Sequence, residues 1–262
     1  MKLLLLLIGL LGWLHAAPIG NPSFPSIIQK GIFVSRNHSI DLRSGYEGDF
    51  VIDGNLRQHD WGQGDVDTYK QWNNSGSLTI NAINRLDLYA ILGGSNTKTN
   101  WRFENPTNQG ITRIELETDT DLLWAVGARA ILCEWFNTTL GAGGRYSSCM
   151  NHPHSFKSNG ITTAQMGAEI EFKEWQINMD VSYRIDVFIP YIGAKYLSAK
   201  SDLTGFTVPI SASLTGNNSF ENGSPVGVYL GCTLSSGHYF MFNIEGRLID
   251  EDAITVSGEF RF

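Results

Sequence analysis

Polar and apolar residues alternate with a period of two over much of this chain. The clearest case runs from Trp175 to Asp186, where apolar and polar residues alternate without a break. Successive strand residues point to opposite faces, so this pattern predicts a strand with one apolar and one polar face and excludes a helix. Noisier versions of the pattern predict further strands at 41–53, 66–74, 77–92, 111–119, 121–133, 136–147, 161–172, 189–199, 225–235 and 238–249.

The last predicted strand, at 252–262, has the same two faces. Its apolar face carries Ile254, Val256, Gly258, Phe260 and Phe262. A final strand that ends on an aromatic residue is typical of bacterial outer-membrane barrels, in which one face meets lipid and the other a wet lumen. Phe262 is therefore the predicted assembly signal. A soluble β-sandwich is the alternative, and the number of long alternating strands disfavours it.

The N-terminal residues predict export. Met1 and Lys2 form a short basic start, 3–14 is an apolar run, and 15–18 contains small residues, which together form the layout of a secretory signal peptide at 1–16. The run is shorter than the roughly 20 residues of a membrane-spanning helix, and no later apolar run is long enough either. Residues 17–262 are therefore expected to enter a membrane as one closed barrel domain.

The composition is compatible with a membrane barrel. The chain has 28 Gly, 14 Phe, 9 Tyr and 7 Trp, and its net charge of −7 argues against nucleic acid as a partner. No Cys or His spacing resembles a metal site, and no catalytic motif is recognisable, so we predict no metal, no cofactor and no enzymatic activity. The expected fold is an all-β transmembrane antiparallel β-barrel of about 12 strands, with about 10 to 16 as alternatives.

Counting strands back from Phe262 predicts the topology. With Phe262 at the periplasmic end, the connections at 93–110 and 201–224 and a turn at 173–174 fall outside the cell. The connection at 149–160 then falls in the periplasm, where its length breaks the rule that periplasmic turns are short.

Charged residues on the polar faces are the candidate pore lining. A charge at mid-bilayer on the lipid face costs roughly 2 to 4 kcal/mol, so the polar face is expected to be the inner one. Both signs, spread over many strands, predict weak ion selectivity. The alternative is that these charges pair across strands and only fill the lumen. The candidates are Arg43, Glu47, Asp49, Arg85, Asp87, Arg129, Asp180, Arg184, Lys195, Glu245, Arg247, Glu259 and Arg261.

Several collinear segments carry a family resemblance. They are A-P-I-G-N-P-S-F-P-S at 17–26, L-R-S-G-Y-E-G-D-F-V-I-D at 42–53, N-R-L-D-L-Y-A-I-L-G at 84–93, V-G-A-R-A-I-L-C-E-W-F-N-T-T-L-G-A at 126–142, E-W-Q-I-N-M-D-V-S-Y-R-I-D-V-F-I-P-Y-I-G-A-K at 174–195 and G-R-L-I-D-E-D-A-I-T-V-S-G-E-F-R-F at 246–262. Together they resemble the chlamydial major outer membrane protein (MOMP) porins. The resemblance implies a general diffusion porin, usually trimeric and a dominant surface antigen.

Length and cysteine content depart from this family. The chain is shorter than typical members, and the missing length falls in loops where the family carries its variable segments. The family's disulfide-linked envelope needs cysteines that this chain mostly lacks. Of its own three, Cys133 and Cys232 lie in predicted strands. Cys149 falls in the predicted periplasmic loop and is the candidate for an intermolecular disulfide.

We therefore expect a porin of the bacterial cell outer membrane that passes ions and small hydrophilic solutes passively and has a structural role in the envelope. The expected partners are outer-membrane lipid and lipopolysaccharide, the barrel assembly machinery, the solutes themselves and a homotrimer of this chain. A plugged structural or adhesive surface barrel without significant transport is the main alternative. A hydrolase barrel, with a site assembled from distant residues, is a weaker one.

Overall fold

The computed structural model describes residues 18–32, 39–58, 64–105, 110–207, 210 and 219–262. Over these residues it contains one short helix and fifteen strands. They are α1 (Phe24–Ile27), β1 (Ile40–Gly54), β2 (Leu56–Gln58), β3 (Gly64–Ala82), β4 (Leu86–Glu104), β5 (Ile111–Thr118), β6 (Asp121–Trp135), β7 (Thr138–Asn151), β8 (Pro153–Ser158), β9 (Ile161–Thr162), β10 (Glu169–Tyr183), β11 (Phe188–Thr204), β12 (Ser219–Asn222), β13 (Val226–Leu234), β14 (Phe240–Leu248) and β15 (Glu251–Arg261). Among the described residues no helix is long and apolar enough to span a membrane. The predicted signal peptide lies outside the described residues.

Ten of the strands close into an antiparallel barrel. The ring runs β1, β3, β4, β6, β7, β10, β11, β13, β14, β15, and β15 pairs with β1 to close it. Closure lets the ring pair its backbone donors and acceptors without water, which a hydrocarbon environment requires. The predicted all-β barrel is confirmed, and its ten-stranded ring lies at the lower limit of the expected range.

The two ends of the barrel differ in their connections. Ile40 pairs with Ala82 and Arg43 with Arg261, so the chain enters and leaves the ring at one end, which we call the terminal end. The turns after β3, β6, β10 and β13 are also at the terminal end and are short. The opposite rim, the far end, carries the long connections, and there β2, β5, β8, β9 and β12 extend the sheet beyond the ring.

Apolar side chains cover the outside of the ring. On β10, for example, Met179, Val181 and Tyr183 are exposed to the outside. The residues between them, Asp180 and Ser182, are buried. Aromatic residues border this apolar band on both sides. Toward the far end they include Trp124, Tyr146 and Tyr196, and toward the terminal end Tyr183, Phe188, Phe240 and Phe260. An apolar band flanked by aromatic girdles is the outer surface expected of a transmembrane barrel.

The predicted strands at 66–74 and 77–92 have the wrong boundaries. β3 continues without interruption to Ala82, a tight turn occupies 83–85, and β4 begins at Leu86. A three-residue turn leaves the even-numbered residues on the outer face of both strands. The alternation therefore continues through the turn without a break, and the sequence pattern gives no sign that the chain turns there.

The predicted turn at 173–174 and the separate strand predicted at 161–172 are also wrong. β10 passes through both positions, with Glu174 buried inside the barrel and Lys173 directed outward. The false turn adds one crossing to the strand count. The connection at 149–160 consequently lies at the far end and not with the termini, which removes the predicted exception to the rule on turn length.

A second error in the count compensates for the first. β4 extends to Glu104, so the predicted loop at 93–110 shrinks to 105–110, and β5 pairs with β4 outside the ring. Because β5 does not cross the barrel, the connection between β4 and β5 remains on the side opposite Phe262, as the sequence predicted. The connection after β11 precedes both errors in the count from Phe262 and lies on that side as well.

Candidate functional site in the barrel lumen

The inner face of the ring is rich in charged residues. Most of the predicted pore-lining residues have their side chains on this face, where they are largely buried. They are Arg43, Glu47, Asp49, Asp87, Arg129, Asp180, Lys195, Glu245, Arg247, Glu259 and Arg261. A buried charge is costly unless it is paired or hydrogen-bonded, so the partners of these groups decide what the lumen does.

Two predicted pore-lining residues lie elsewhere. Arg85 is in the turn before β4, its side chain is 49% exposed, and its Nη2 lies 2.9 Å from Glu134 Oε2. The prediction for Arg85 is wrong because the strand assumed there contains a turn. Arg184 follows the last residue of β10 at the rim of the terminal end, where it is half-buried.

One charge network lies in the terminal half of the lumen. Arg43 pairs with Asp87 and, at 3.3 Å, with Glu259. Arg129 contacts the same two carboxylates, with Nε 2.8 Å from Asp87 and Nη2 2.7 Å from Glu259. These residues belong to β1, β4, β6 and β15, so the network ties together one side of the ring.

A second network lies nearer the far end. Arg247 Nη2 is 2.7 Å from Asp49 Oδ1, and Arg247 Nε is 2.7 Å from Glu251 Oε1. Lys195 Nζ lies 2.6 Å from Glu251 and 2.7 Å from Asp250. In both networks the inward charges pair with each other across strands, as the alternative interpretation of the sequence expected.

Residues 18–28, which we call the N-terminal segment, lie inside the barrel. All of them except Ser26 are buried. The alternating pattern does not extend to this segment, so the pattern predicts no position for it. Its three prolines, Pro18, Pro22 and Pro25, are the signal that sets it apart, since proline cannot donate to a central sheet ladder.

Space remains on either side of the second network. A small cavity of about 20 Å³ adjoins the start of the N-terminal segment and is lined in part by Arg129 and Arg145. Another, of about 30 Å³, is lined in part by Gln71 and Glu251. The second cavity shares Glu251 and residues 54–56 with a cleft of about 260 Å³ at the far end, whose lining is mostly polar.

Among the described residues, an apolar cluster fills another part of the far end. It comprises Trp101, Phe103, Ile114, Leu116, Phe156, Ile170, Leu203, Ile210 and Phe220. Charged solutes are excluded from such a core by their desolvation cost. Within the part of this end that the structure describes, the polar cleft is therefore the opening suited to hydrophilic solutes.

Cys149 does not occupy the exposed loop that the sequence predicted. It lies in β7, is 2% exposed, and belongs to a buried cluster with Leu123 and Phe172 inside the barrel. Among the described cysteines, Cys133 is exposed and Cys232 is half-buried. The prediction of a disulfide-forming Cys149 is therefore wrong for the folded protein. Within the described residues no cluster of His, Cys, Asp and Glu is placed to hold a metal ion.

We expect Cys149 to be protected from thiol reagents as long as the barrel is folded. An uncharged maleimide should label a variant that retains only Cys133 in the folded and the unfolded state. It should label a variant that retains only Cys149 in the unfolded state alone. Mass spectrometry of the labelled barrels checks this, and rapid labelling of folded Cys149 would contradict its placement inside the barrel.

Comparison with known proteins agrees with this architecture. A family model described as "Chlamydia major outer membrane protein" matches residues 154–216. The major outer membrane porin of Chlamydia pneumoniae is 26% identical over 374 residues, covering 97% of this chain and 96% of that protein. The serovar E major outer membrane porin of Chlamydia trachomatis is 24% identical over 376 residues, covering 95% of each. These alignments are longer than the chain's 262 residues, so the relatives contain segments that this chain lacks.

Solved structures show lower similarity. The outer membrane channel of Pseudomonas putida F1 superposes with a TM-score of 0.43 at 8% identity, covering 96% of this chain and 98% of that one. The closed ring, the apolar outer band and the polar inner face define a bacterial outer-membrane β-barrel. Within that class, the chain is similar to the chlamydial major outer membrane porins over nearly its whole length.

Proposed function

We propose that this protein is a porin that lets ions and small hydrophilic solutes diffuse passively through the bacterial outer membrane, and that it also has a structural role in the envelope. The observation that carries the proposal is the closed ring whose inner face holds charged residues of both signs. The similarity to major outer membrane porins over nearly the whole chain supports it. Nothing in this function requires catalysis, and we propose that the protein is not an enzyme.

The solute route that we propose begins at the far-end cleft. It continues past Glu251 into the adjoining cavity, passes the Arg247 network, and reaches the cavity beside Arg145. Paired charges of opposite sign along this route create electric fields across the lumen. They do not form a ring of charges of a single sign, so the selectivity between cations and anions should be weak.

The proposal extends to the orientation and the partners of the barrel. We propose that the terminal end, with its short turns, faces the periplasm and that the far end faces outward, where long connections are usual. The apolar band would contact lipid, and the far end would meet lipopolysaccharide. Assembly would use the barrel assembly machinery, and a homotrimer is the proposed oligomer.

Single-channel recording of the refolded protein in planar bilayers tests the proposed transport. We expect discrete conductance steps with only weak preference between cations and anions. A folded, heat-modifiable barrel that never conducts would favour the second candidate, a plugged structural or adhesive surface barrel. That candidate is kept because the N-terminal segment and the apolar cluster occupy much of the lumen.

Asp180 is the residue best suited to test ion selectivity. Its carboxylate accepts hydrogen bonds from Tyr229 at 2.6 Å and Asn178 at 3.0 Å, and among the described residues it has no cation within ion-pair distance. Asp180→Asn removes one charge with little change in shape, so the reversal potential in a salt gradient should move toward anions. Asp202→Asn is the matched control, because Asp202 lies on the outer face, paired with Lys200 at 2.8 Å, and the reversal potential should stay unchanged. Equal reversal potentials for both variants would mean that ions do not pass Asp180.

A further inference from the structure

The N-terminal segment reaches the lumen through the terminal end. At the entry, the backbone N of Gln29 donates to Gly237 O at 3.0 Å, and the backbone N of Ile32 donates to Arg261 O at 3.1 Å. At the other end of the segment, Arg145 Nη1 donates to Pro18 O at 3.3 Å. The segment thus runs from the terminal rim to the cavity beside Arg145 and fills the part of the lumen between them.

Polar groups of the barrel wall bind the start of the segment. The Glu245 carboxylate accepts hydrogen bonds from the backbone N of Ile19 at 3.1 Å and of Gly20 at 2.9 Å. The Asn21 side-chain amide donates to Thr233 Oγ1 at 3.0 Å. Because a carboxylate that accepts two backbone N–H groups is a strong, directional contact, Glu245 fixes the position of the segment in the lumen.

Apolar contacts hold the helical part of the segment. Phe24 and Ile27 pack in a buried cluster with Ile189 and Met241 of the wall. The Arg129 guanidinium carbon lies 4.2 Å from the centre of the Phe24 ring, a cation–π contact. The same arginine belongs to the terminal charge network, so the segment sits directly on the charges that a solute would meet.

The barrel does not depend on the segment for closure. No residue of the segment belongs to a strand of the ring, which closes through β1 and β15. The arginines that contact the segment keep their own carboxylates: Arg145 pairs with Glu47 at 2.9 Å, and Arg43 pairs with Asp87. Withdrawal of the segment would therefore leave the ladder and the wall ion pairs intact.

From this arrangement we infer that the N-terminal segment is an internal plug, held by Glu245, that closes the periplasmic half of the lumen and opens it on withdrawal. The inference rests on the proposed function, since a plug regulates transport only if the lumen conducts. It adds a closed state that is built into the chain itself and requires no other protein.

A disulfide lock tests the plug directly. Ser23 Oγ lies 2.6 Å from Ser182 Oγ, so Ser23→Cys combined with Ser182→Cys places two thiols in contact. The three natural cysteines are first replaced, Cys133 and Cys232 by Ser and Cys149 by Ala. In single-channel recordings, oxidation of this variant should abolish nearly all conductance, and a reductant should restore it. The variant with Ser23→Cys alone should respond to neither treatment.

Two further variants release the plug instead. Deletion of residues 18–28 should raise the mean conductance several-fold. Gly20→Ala should act in the same direction, because Gly20 has a φ of +82° and an added Cβ would lie 2.5 Å from Phe24 Cε2. Gly246→Ala is the matched control, since nothing lies within 4 Å of its added Cβ. Heat-modifiable mobility in gels confirms that each variant is folded.

The possible outcomes distinguish failure of the plug proposal from failure of the porin proposal. Unchanged conductance in the oxidised lock and in the deletion would overturn the plug and leave the porin proposal standing. Absence of conductance in every folded variant, including the deletion, would overturn the porin proposal and the gating role with it. In that case, reaction of a single Ser182→Cys thiol with a charged methanethiosulfonate would still report whether the segment covers the wall.

Discussion

Replacing Arg247 with methionine is expected to destabilise the folded barrel by about 3 to 5 kcal/mol, the range found when one partner of a buried ion pair is removed. The guanidinium of Arg247 is almost fully buried and contacts Asp49 and Glu251, both at 2.7 Å. It also donates to Thr255 Oγ1 at 2.7 Å. Methionine fills a similar volume but leaves two carboxylates without their shared cation.

Urea unfolding of the refolded barrel, followed by tryptophan fluorescence, measures this loss. Arg102→Met is the matched control, because Arg102 is also paired, at 3.2 Å with Asp67, but its side chain is 46% exposed. An exposed pair of this kind contributes about 0 to 1 kcal/mol. Equal unfolding midpoints for the two variants would show that the Arg247 network does not hold the wall together.

The same network explains why charge reversal is a poor probe of this lumen. From the sequence, reversal at Asp180, Arg184, Glu245 and Arg247 is expected to alter selectivity with folding nearly intact. The structure gives Arg247 carboxylate partners in the folded state, and Glu245 lies 3.8 Å from it. Reversing either charge would place like charges together in a buried site, so neutral replacements are the informative ones.

The faces of the strands could be predicted from the sequence with good accuracy. A barrel wall separates lipid from a polar interior, so its residues must alternate, and the period-two pattern follows from that requirement. The alternation predicts that Arg43, Asp87 and Glu259 lie on the inner face, and all three are buried there. Only a local pattern is needed for such an assignment.

The positions of the turns were harder to predict, because a turn changes chain direction without always changing the pattern. The turn at 83–85 preserves the alternation and was missed. At 173–174 the Lys-Glu pair predicts a turn, but the strand continues through it. Lys173 faces outward, and Glu174 faces the inside of the barrel. Composition alone does not distinguish a polar turn from a strand that leaves the membrane and enters water.

Partners within the lumen could not be predicted from sequence at all. Arg247 and Asp49 are 198 positions apart, and Glu245 is 225 positions from Gly20. The alternation fixes which way each side chain points but gives no strand register, and register decides which charges meet. A related reason applies to the N-terminal segment, because its contacts with Glu245, Thr233 and Ile189 join it to residues far along the chain.

Replacing Phe262 with aspartate is expected to reduce strongly the amount of folded barrel in the outer membrane. Phe262 extends the seam between the first and last strands, because its backbone N donates to Leu42 O at 3.2 Å. Its ring packs edge-on against Phe260 with centroids 5.2 Å apart, on the outer face at the terminal end. The variant places a charge where the final strand must enter lipid and close on β1.

The equilibrium cost of that charge is small, and this separates an assembly defect from a stability defect. Near the membrane interface a lipid-facing charge costs only about 0 to 1 kcal/mol, so protein refolded in detergent should resist urea almost as well as the parent. Phe136→Asp is the matched control, since Phe136 lies at the same end and is 92% exposed. Outer-membrane fractions should contain heat-modifiable Phe136→Asp barrel at the parental level and little Phe262→Asp barrel. Equal amounts of the two variants would show that the last residue does not direct assembly.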